Sequence, residues 1–417
     1  MRPLLLSPAG NFESLSAALA NGADAVYFGV GSLNMRSRAS VNFTEEDLVP
    51  VAEKCHACGV EAWLTLNTVV FDTELDTVKR LCSAAKQAGI DAVIAADTAV
   101  LQIAREAGLS IHLSVQANIA NLEAVRFYAQ FADVMVLARE LKLSQIAAIC
   151  KGIREQNITG PSGELVRVEV FVHGALCVAV SGKCYMSLAV FNSSANRGDC
   201  YQPCRRAYTV RDSVNGQELE IDNHYVMSPN DLCTIELLPQ LLSAGVSVLK
   251  IEGRGRSADY VACVTRVYRE AVDLWKAGAA VEPAQLESWK KRLGEVFNRG
   301  FWHGGYYLGE KVGEWTASSE NKSTLVKVLT GQVLNYYAKA GIAQIRLNSG
   351  VVHQGDRFLI TGPTTGAAEG IITSMRVNDL PGIIAEKGAE ITFELSTPVR
   401  KNDRFFILTP RDNESSE

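Results

Sequence analysis

The stretch "PLLLSPAGNFESLSAALANGADAVYFG", Pro3 to Gly29, decides how the chain is to be read. A short apolar run, Pro3–Leu6, leads into the amphipathic segment Glu13–Asn21, and a second apolar run, Ala25–Phe28, follows. Strand, helix and strand in that order are the repeating unit of an α/β protein. The same alternation continues downstream. Further strand candidates are Glu61–Leu66, Ala92–Ala95, Ser110–Val115, Val134–Leu137, Arg167–Val172 and Val246–Ile251, with helical patterns such as Leu75–Ala88 and Asn121–Phe131 between them. Eight strands separated by helices predict a TIM-like (β/α)8 barrel. An open doubly wound sheet is the alternative, but no GxGxxG turn follows the first strand.

At 417 residues, with 47% hydrophobic and 21% charged residues, the chain exceeds one ordinary core and suits two or three domains. Two more helical patterns, Ala258–Lys276 and Pro283–Phe297, complete a first domain over residues 1–300, and 301–323 reads as a linker. From about Thr324 the pattern turns to alternating strands with Gly and Asn-Ser-Gly turns. This predicts a small antiparallel β-barrel over 324–410, before a polar, disordered tail at 411–417. The N-terminal apolar run is too short for a signal peptide and no stretch could span a bilayer, so a cytoplasmic protein without membrane contact is expected. The net charge of −5 leaves nucleic-acid binding to a local patch.

One connection breaks the rhythm. More than seventy residues separate the seventh and eighth strands. They form an insertion at about 174–235 that leaves the end of its strand on the face where barrels carry catalytic groups. The insertion contains Cys177, Cys184, Cys200 and Cys204, spaced C-x6-C-x15-C-x3-C, with Cys233 further on. In a reducing compartment such clustering favours metal or catalytic roles over disulfides. Zinc knuckles usually pair close cysteines at both ends, whereas here one pair is close; an iron–sulfur cluster suits the irregular spacing at least as well. Gly174, Gly182 and Gly198 would let the backbone pass close to a bulky ligand. Cys55 and Cys58 ("CHAC") fall in a helical pattern on the opposite face and are left out.

The residues just past the strands are Ser7, Asn67, Ser114, Gln116, Asn118, Arg139, Glu140, His173, Glu252 and Arg254. Polar strand ends are common, but this set suits a polar or anionic small substrate. Arg139 and Arg254 are the expected carboxylate clamps, with Asn67, Gln116 and Asn118 as further substrate contacts. His173, Glu169 and Glu252 are the expected catalytic groups, His173 as acid–base.

The stretch "EVFVHGALCVAVSGKCYMS" resembles the signature of peptidase family U32, the collagenase-like peptidases, and "LLSPAGN", "NGADAVYFG", "HLSVQANIAN", "GDCYQPCRRAY" and "LKIEGRGRS" resemble further blocks of that family, in order. The resemblance covers Arg2 to about Lys276. The C-terminal segment is similar to the translation-factor-like barrel of the family branch that acts on tRNA. The resemblance implies a [4Fe–4S] cluster on Cys177, Cys184, Cys200 and Cys204, with Cys233 in reserve, and prephenate as a dicarboxylate co-substrate. It implies oxygen-independent hydroxylation of tRNA wobble uridine to 5-hydroxyuridine. Arg197, Arg205, Arg206 and Arg211 would make the insertion locally basic. The C-terminal barrel would dock tRNA so that the anticodon region reaches the insertion, with Arg346, Arg357 and Arg376 on phosphates; capping the first barrel is its other possible role. The alternatives are a U32-type peptidase, a hydroxylase of another RNA or small aromatic substrate, and a non-enzymatic cluster-bearing protein. No G-x-S-x-G or H-E-x-x-H motif supports proteolysis.

Overall fold

The computed structural model describes residues 3–38, 42–209, 211–216, 227–302, 315–316 and 320–411. Its first unit is the one read from Pro3–Gly29. Strand β1 (Leu4–Pro8) leads to helix α1 (Phe12–Ala20), which starts where the extended Asn11 caps the Ser14 amide through its side chain. Strand β2 (Ala25–Gly29) then pairs parallel to β1, with Leu6 opposite Ala25.

The parallel ladder continues through β3 (Glu61–Leu66), β4 (Ala92–Ala95), β5 (Ser110–Leu113), β6 (Val134–Val136) and β7 (Arg167–Gly174). Strand β8 (Asp231–Cys233) stands apart from this ladder, and β9 (Val248–Ile251) resumes it. Val248 of β9 lies opposite Leu4 of β1 on one side and Glu169 of β7 on the other. The eight parallel strands therefore close into a TIM-like barrel, as the alternation predicts. Leu6, Tyr27, Trp63, Ile94, Val134 and Val248 fill its interior, while the outward apolar side chains meet the surrounding helices.

Two short strands change the expected outline. β8 pairs antiparallel with the end of β7, His173 facing Cys233, and so turns the return of the insertion into part of the sheet. β10 (Phe301–Trp302) pairs parallel to β8, Phe301 opposite Asp231. Residues 301–302, read from sequence as the start of a linker, thus belong to the barrel's sheet. Between them run the helices α2 (Leu48–His56), α3 (Leu75–Gln87), α4 (Thr98–Glu106), α5 (Leu122–Tyr128), α6 (Leu143–Glu155), α7 (Met186–Phe191), α8 (Leu238–Ala244), α9 (Ala258–Lys276) and α10 (Pro283–Glu295). Among the described residues no helix is long and apolar enough to cross a membrane.

The second unit is all antiparallel. Its strands are β11 (Leu325–Tyr337), β12 (Ile342–Leu347), β13 (Val351–His353), β14 (Arg357–Gly362), β15 (Gly366–Ile371), β16 (Met375–Val377), β17 (Leu380–Gly382), β18 (Ile384–Glu386), β19 (Glu390–Glu394) and β20 (Arg404–Pro410). Eight of them form one sheet in the order β15-β14-β20-β11-β12-β19-β16-β17, and β13 pairs with β18. They share a core around Val333, Ile345, Phe358, Phe393 and Phe405. Of the tail expected at 411–417, Arg411 is held to the barrel by donating to the Ser323 carbonyl at 2.7 Å, and residues 412–417 lie outside the described residues.

This unit docks on α1, α9 and α10. Ser16 Oγ donates to the Pro363 carbonyl at 2.6 Å, Arg404 pairs with Glu13 at 2.7 Å, and Lys327 pairs with Asp259 at 2.7 Å. Arg357, expected on phosphate, instead pairs with Glu295 of α10 at 3.0 Å. Arg346 pairs with Glu390, and Arg376 donates to the Asp379 carbonyl at 2.9 Å.

Candidate functional site

In a parallel barrel every strand points its C-terminal end to the same face. A cavity opens there between the strand ends and the insertion. Its floor is made by Tyr27, Thr65, Phe171 and Lys250 from within the strands, with Asn67, Ser114, Gln116, Arg139, Glu252 and Arg254 just beyond them.

Glu252 is the charge centre. Its Oε1 accepts from Nε and Nη2 of Arg36 at 3.1 and 3.0 Å, and the Tyr27 hydroxyl stands 3.3 Å from Oε2. Burial alone would raise the Glu252 carboxyl, but Arg36 and Arg254 outweigh it and hold it below its ordinary value, so it stays ionised. Arg254, only 4% exposed, donates to Thr65 Oγ1 at 2.9 Å; burial pulls its pKa down to about 10, leaving it charged at neutral pH.

Two of these residues escape the reading of strand ends. Arg36 lies deep in the loop after β2. Lys250 sits inside β9, and its signal in the sequence is a lysine in the otherwise apolar run "VLKI", where a charge must have a buried partner. That partner is Glu169, fully buried and 2.8 Å from the Lys250 ammonium, with its Oε2 unpartnered. Glu169, expected to be catalytic, does not line the cavity and reaches it only through Lys250.

His173 lines the cavity but is 1% exposed and packed among Tyr260, Tyr268 and Phe301, its Nδ1 3.5 Å from the Tyr268 hydroxyl. Burial, reinforced by the Arg256 charge, pushes its pKa down to about 3. It is a neutral imidazole near pH 7.

The amides divide into two roles. Asn67 donates to Ser114 Oγ at 3.2 Å and lies 3.4 Å from Gln116 Oε1, so these three form one hydrogen-bonded wall of the cavity. Asn118, in the left-handed conformation, donates to the Gln116 and Ser181 carbonyls and does not line the cavity, contrary to expectation. Arg139 lines it but donates to Ser181 Oγ at 3.1 Å and to the Ala179 carbonyl at 2.9 Å, pinning the insertion.

Cys177, Cys184, Cys200 and Cys204 are unbridged, and all four line this cavity. Burial raises Cys184, and with the neighbouring thiols it raises Cys204 to about 11. Cys233 is 1% exposed and absent from the cavity wall. Among the described residues no three His, Cys, Asp or Glu side chains converge as on a single metal ion. The flanking glycines serve packing: a side chain at Gly174 would meet the Glu252 carbonyl, and one at Gly198 would meet Ser37 and the Asn34 carbonyl. Of the insertion's arginines, Arg197 pairs with Glu74 at 2.7 Å, Arg206 stacks on Phe191, and Arg211 donates to the Gly216 carbonyl.

Comparison with known proteins places this architecture. A protein from Porphyromonas gingivalis named a collagenase is 47% identical over 408 residues, covering 98% of each chain. The tRNA hydroxylation protein P1 of Bacillus subtilis is 33% identical over 342 residues, 80% of this chain and 78% of its own. The 23S rRNA 5-hydroxycytidine C2501 synthase of Escherichia coli is 38% identical over 271 residues, 64% of this chain and 39% of its own. The profile of Peptidase family U32 matches residues 10–317. The chain belongs to peptidase family U32.

Proposed function

We propose that this protein is an RNA-modifying enzyme that hydroxylates tRNA wobble uridine to 5-hydroxyuridine without molecular oxygen. In this reading it acts in the cytoplasm, holds a [4Fe–4S] cluster on Cys177, Cys184, Cys200 and Cys204, and uses prephenate as co-substrate. The observation that carries the reading is the convergence of four unbridged cysteines, all from the first half of one insertion, on the cationic cavity at the barrel mouth. Four cysteines on one cavity wall suit a four-iron cluster, which when bound would supply one-electron chemistry. Relatives named for tRNA and rRNA hydroxylation support the substrate class.

In this mechanism the chain's own groups bind and orient. Lys250 and Arg254 would take the carboxylates of the co-substrate. The amides of Asn67 and Gln116 would meet the edge of a base swung out of the anticodon loop, where no duplex has to be opened. The insertion, fastened by Arg139, would keep water out.

The peptidase reading rests on the name carried by the 47% identical relative. Among the described residues no cysteine thiol or serine hydroxyl is hydrogen-bonded to a histidine, the arrangement an activated nucleophile needs.

The test is a deletion strain complemented with wild type or Cys184→Ser, with tRNA nucleosides read by mass spectrometry. Wild type should restore 5-hydroxyuridine, and anaerobically purified protein should carry about four iron per chain; Cys184→Ser should do neither. Unchanged nucleosides in the deletion strain, together with cleavage of denatured collagen by the purified protein, would favour the peptidase.

A further inference from the structure

Cys184 and Cys200 are each followed by a tyrosine, in "KCYMS" and "DCYQP", and neither ring lines the barrel-mouth cavity that the two cysteines line. Tyr185 is 68% exposed. Tyr201 is fixed to the cavity wall by its amide, which donates to Oγ of the buried Ser187 at 3.0 Å. Its ring stacks on Phe191, the last residue of α7, with centroids 4.8 Å and planes 24° apart. The Arg38 guanidinium, from the loop after β2, lies 3.8 Å over the Tyr201 ring, and that of Arg206 lies 4.8 Å over Phe191. Four planar groups, two of them cationic, are thus gathered at the rim of the cavity.

The same segments show how arginines behave where they only hold the fold. Arg36, two residues before Arg38, is paired with Glu252, and Arg197, which lies over the Phe71 ring, is paired with Glu74. Arg38 and Arg206 differ. Both are exposed, and among the described residues neither guanidinium has an ion-pair or hydrogen-bond partner. Leu188 and Val190 of α7 are exposed as well, but an apolar protein face laid on this rim would bury two uncompensated charges. Phosphates would neutralise them.

We propose that Arg38 and Arg206, cushioned on Tyr201 and Phe191, are a stacking platform for the unpaired nucleotides that flank the modified base. A guanidinium plane accepts a base face as an aromatic ring does, while its edge N–H groups reach phosphate oxygens. The platform fits a loop or single strand and not a duplex, whose base faces are covered by neighbouring pairs. It would hold the strand in register while one base enters the cavity towards Asn67 and Gln116. The inference rests on the RNA reading given above and adds to it the place where the strand lies.

An anticodon stem-loop and a blunt RNA duplex serve as probes, with binding to the anaerobically purified full chain read by fluorescence anisotropy. Arg38→Lys and Arg206→Lys keep the charge and lose the plane. Each should weaken stem-loop binding about fivefold or more, as the loss of a stacked base implies, with the salt dependence kept. Their duplex binding, iron content and melting temperature should stay at wild-type values. Arg38→Gln should lower the salt dependence as well. Tyr201→Phe should bind the stem-loop as wild type does, and Tyr201→Leu as weakly as Arg38→Lys. Lysine variants that bind it as tightly as wild type would reduce the arginines to phosphate contacts and overturn the platform, leaving the RNA reading in place. Loss of self-association in Tyr201→Leu, with stem-loop binding intact, would overturn it in favour of a second copy of the chain on this face. Wild-type protein that binds neither probe would remove the RNA reading and the platform with it. Should the variants not fold, the wild type answers alone: a thiouridine-substituted stem-loop should crosslink to peptides bearing Arg38, Phe191, Tyr201 or Arg206. Crosslinks confined to the C-terminal unit would overturn the proposal.

Discussion

The imidazole of His173 illustrates how one residue's surroundings fix its chemistry. With a folded pKa of about 3 against an ordinary value of 6.5, the native state refuses a proton that the unfolded chain accepts. Stability should therefore fall as pH drops from 6.5 towards 3, by up to about 1.4 kcal/mol per pH unit, with no contribution above 6.5. His112, buried edge-on against Trp63 and also held well below its ordinary value, adds to the same window. His173→Gln should flatten the decline, measured as urea midpoints over a pH series. An unchanged slope would mean that the native imidazole takes up protons after all. At this scale Glu252 and Arg254 are legible in sequence because the residue after a barrel strand faces the mouth. Arg36 and Lys250 are not, since a loop's path and a buried ion pair are decided by residues far away in the chain.

Among the elements, the contact between α1 and β15 is the tightest join between the two units. Gly366 has φ +71, and a Cβ there would lie 2.6 Å from the Ala17 amide nitrogen and 2.9 Å from its Cα. Neither backbone atom can rotate away. Gly366→Ala should cost about 1–3 kcal/mol from strain and overpacking, read as a lowered denaturation midpoint; a neutral result would show that the join already yields. The barrel strands were legible nearly to the residue because each is a short apolar run between helical patterns. β8 and β10 were not, for a physical reason. At three and two residues they carry no periodicity of their own and exist because β7 offers an edge.

For the whole molecule, the two hydrophobic cores are separate clusters, and the join rests on Gly366, Ala367 and the ion pairs with Glu13, Asp259 and Glu295. If the proposed function holds, ending the chain after Asn321 should leave a folded barrel that still loads iron and binds tRNA weakly. Filter binding at low and moderate salt checks this, because lost phosphate contacts reduce the salt dependence of what binding remains. Full tRNA binding by the truncated protein would remove the docking role, and its precipitation would favour the capping role. The docking surface was the least legible level: Arg357 reads as a free surface cation, and only the packed structure gives it Glu295.

The order β7, β8, β10 also sets an order of manufacture. On the ribosome the four cysteines emerge with the insertion, yet β9, which closes the barrel beneath them, and β10, which covers the outer edge of β8, are synthesised later. Until Trp302 has left the exit tunnel, the cysteine loop hangs from a sheet with an open edge. Its thiols are thus made before the sheet that carries them is complete, and the loop has its finished support only once β9 and β10 have joined.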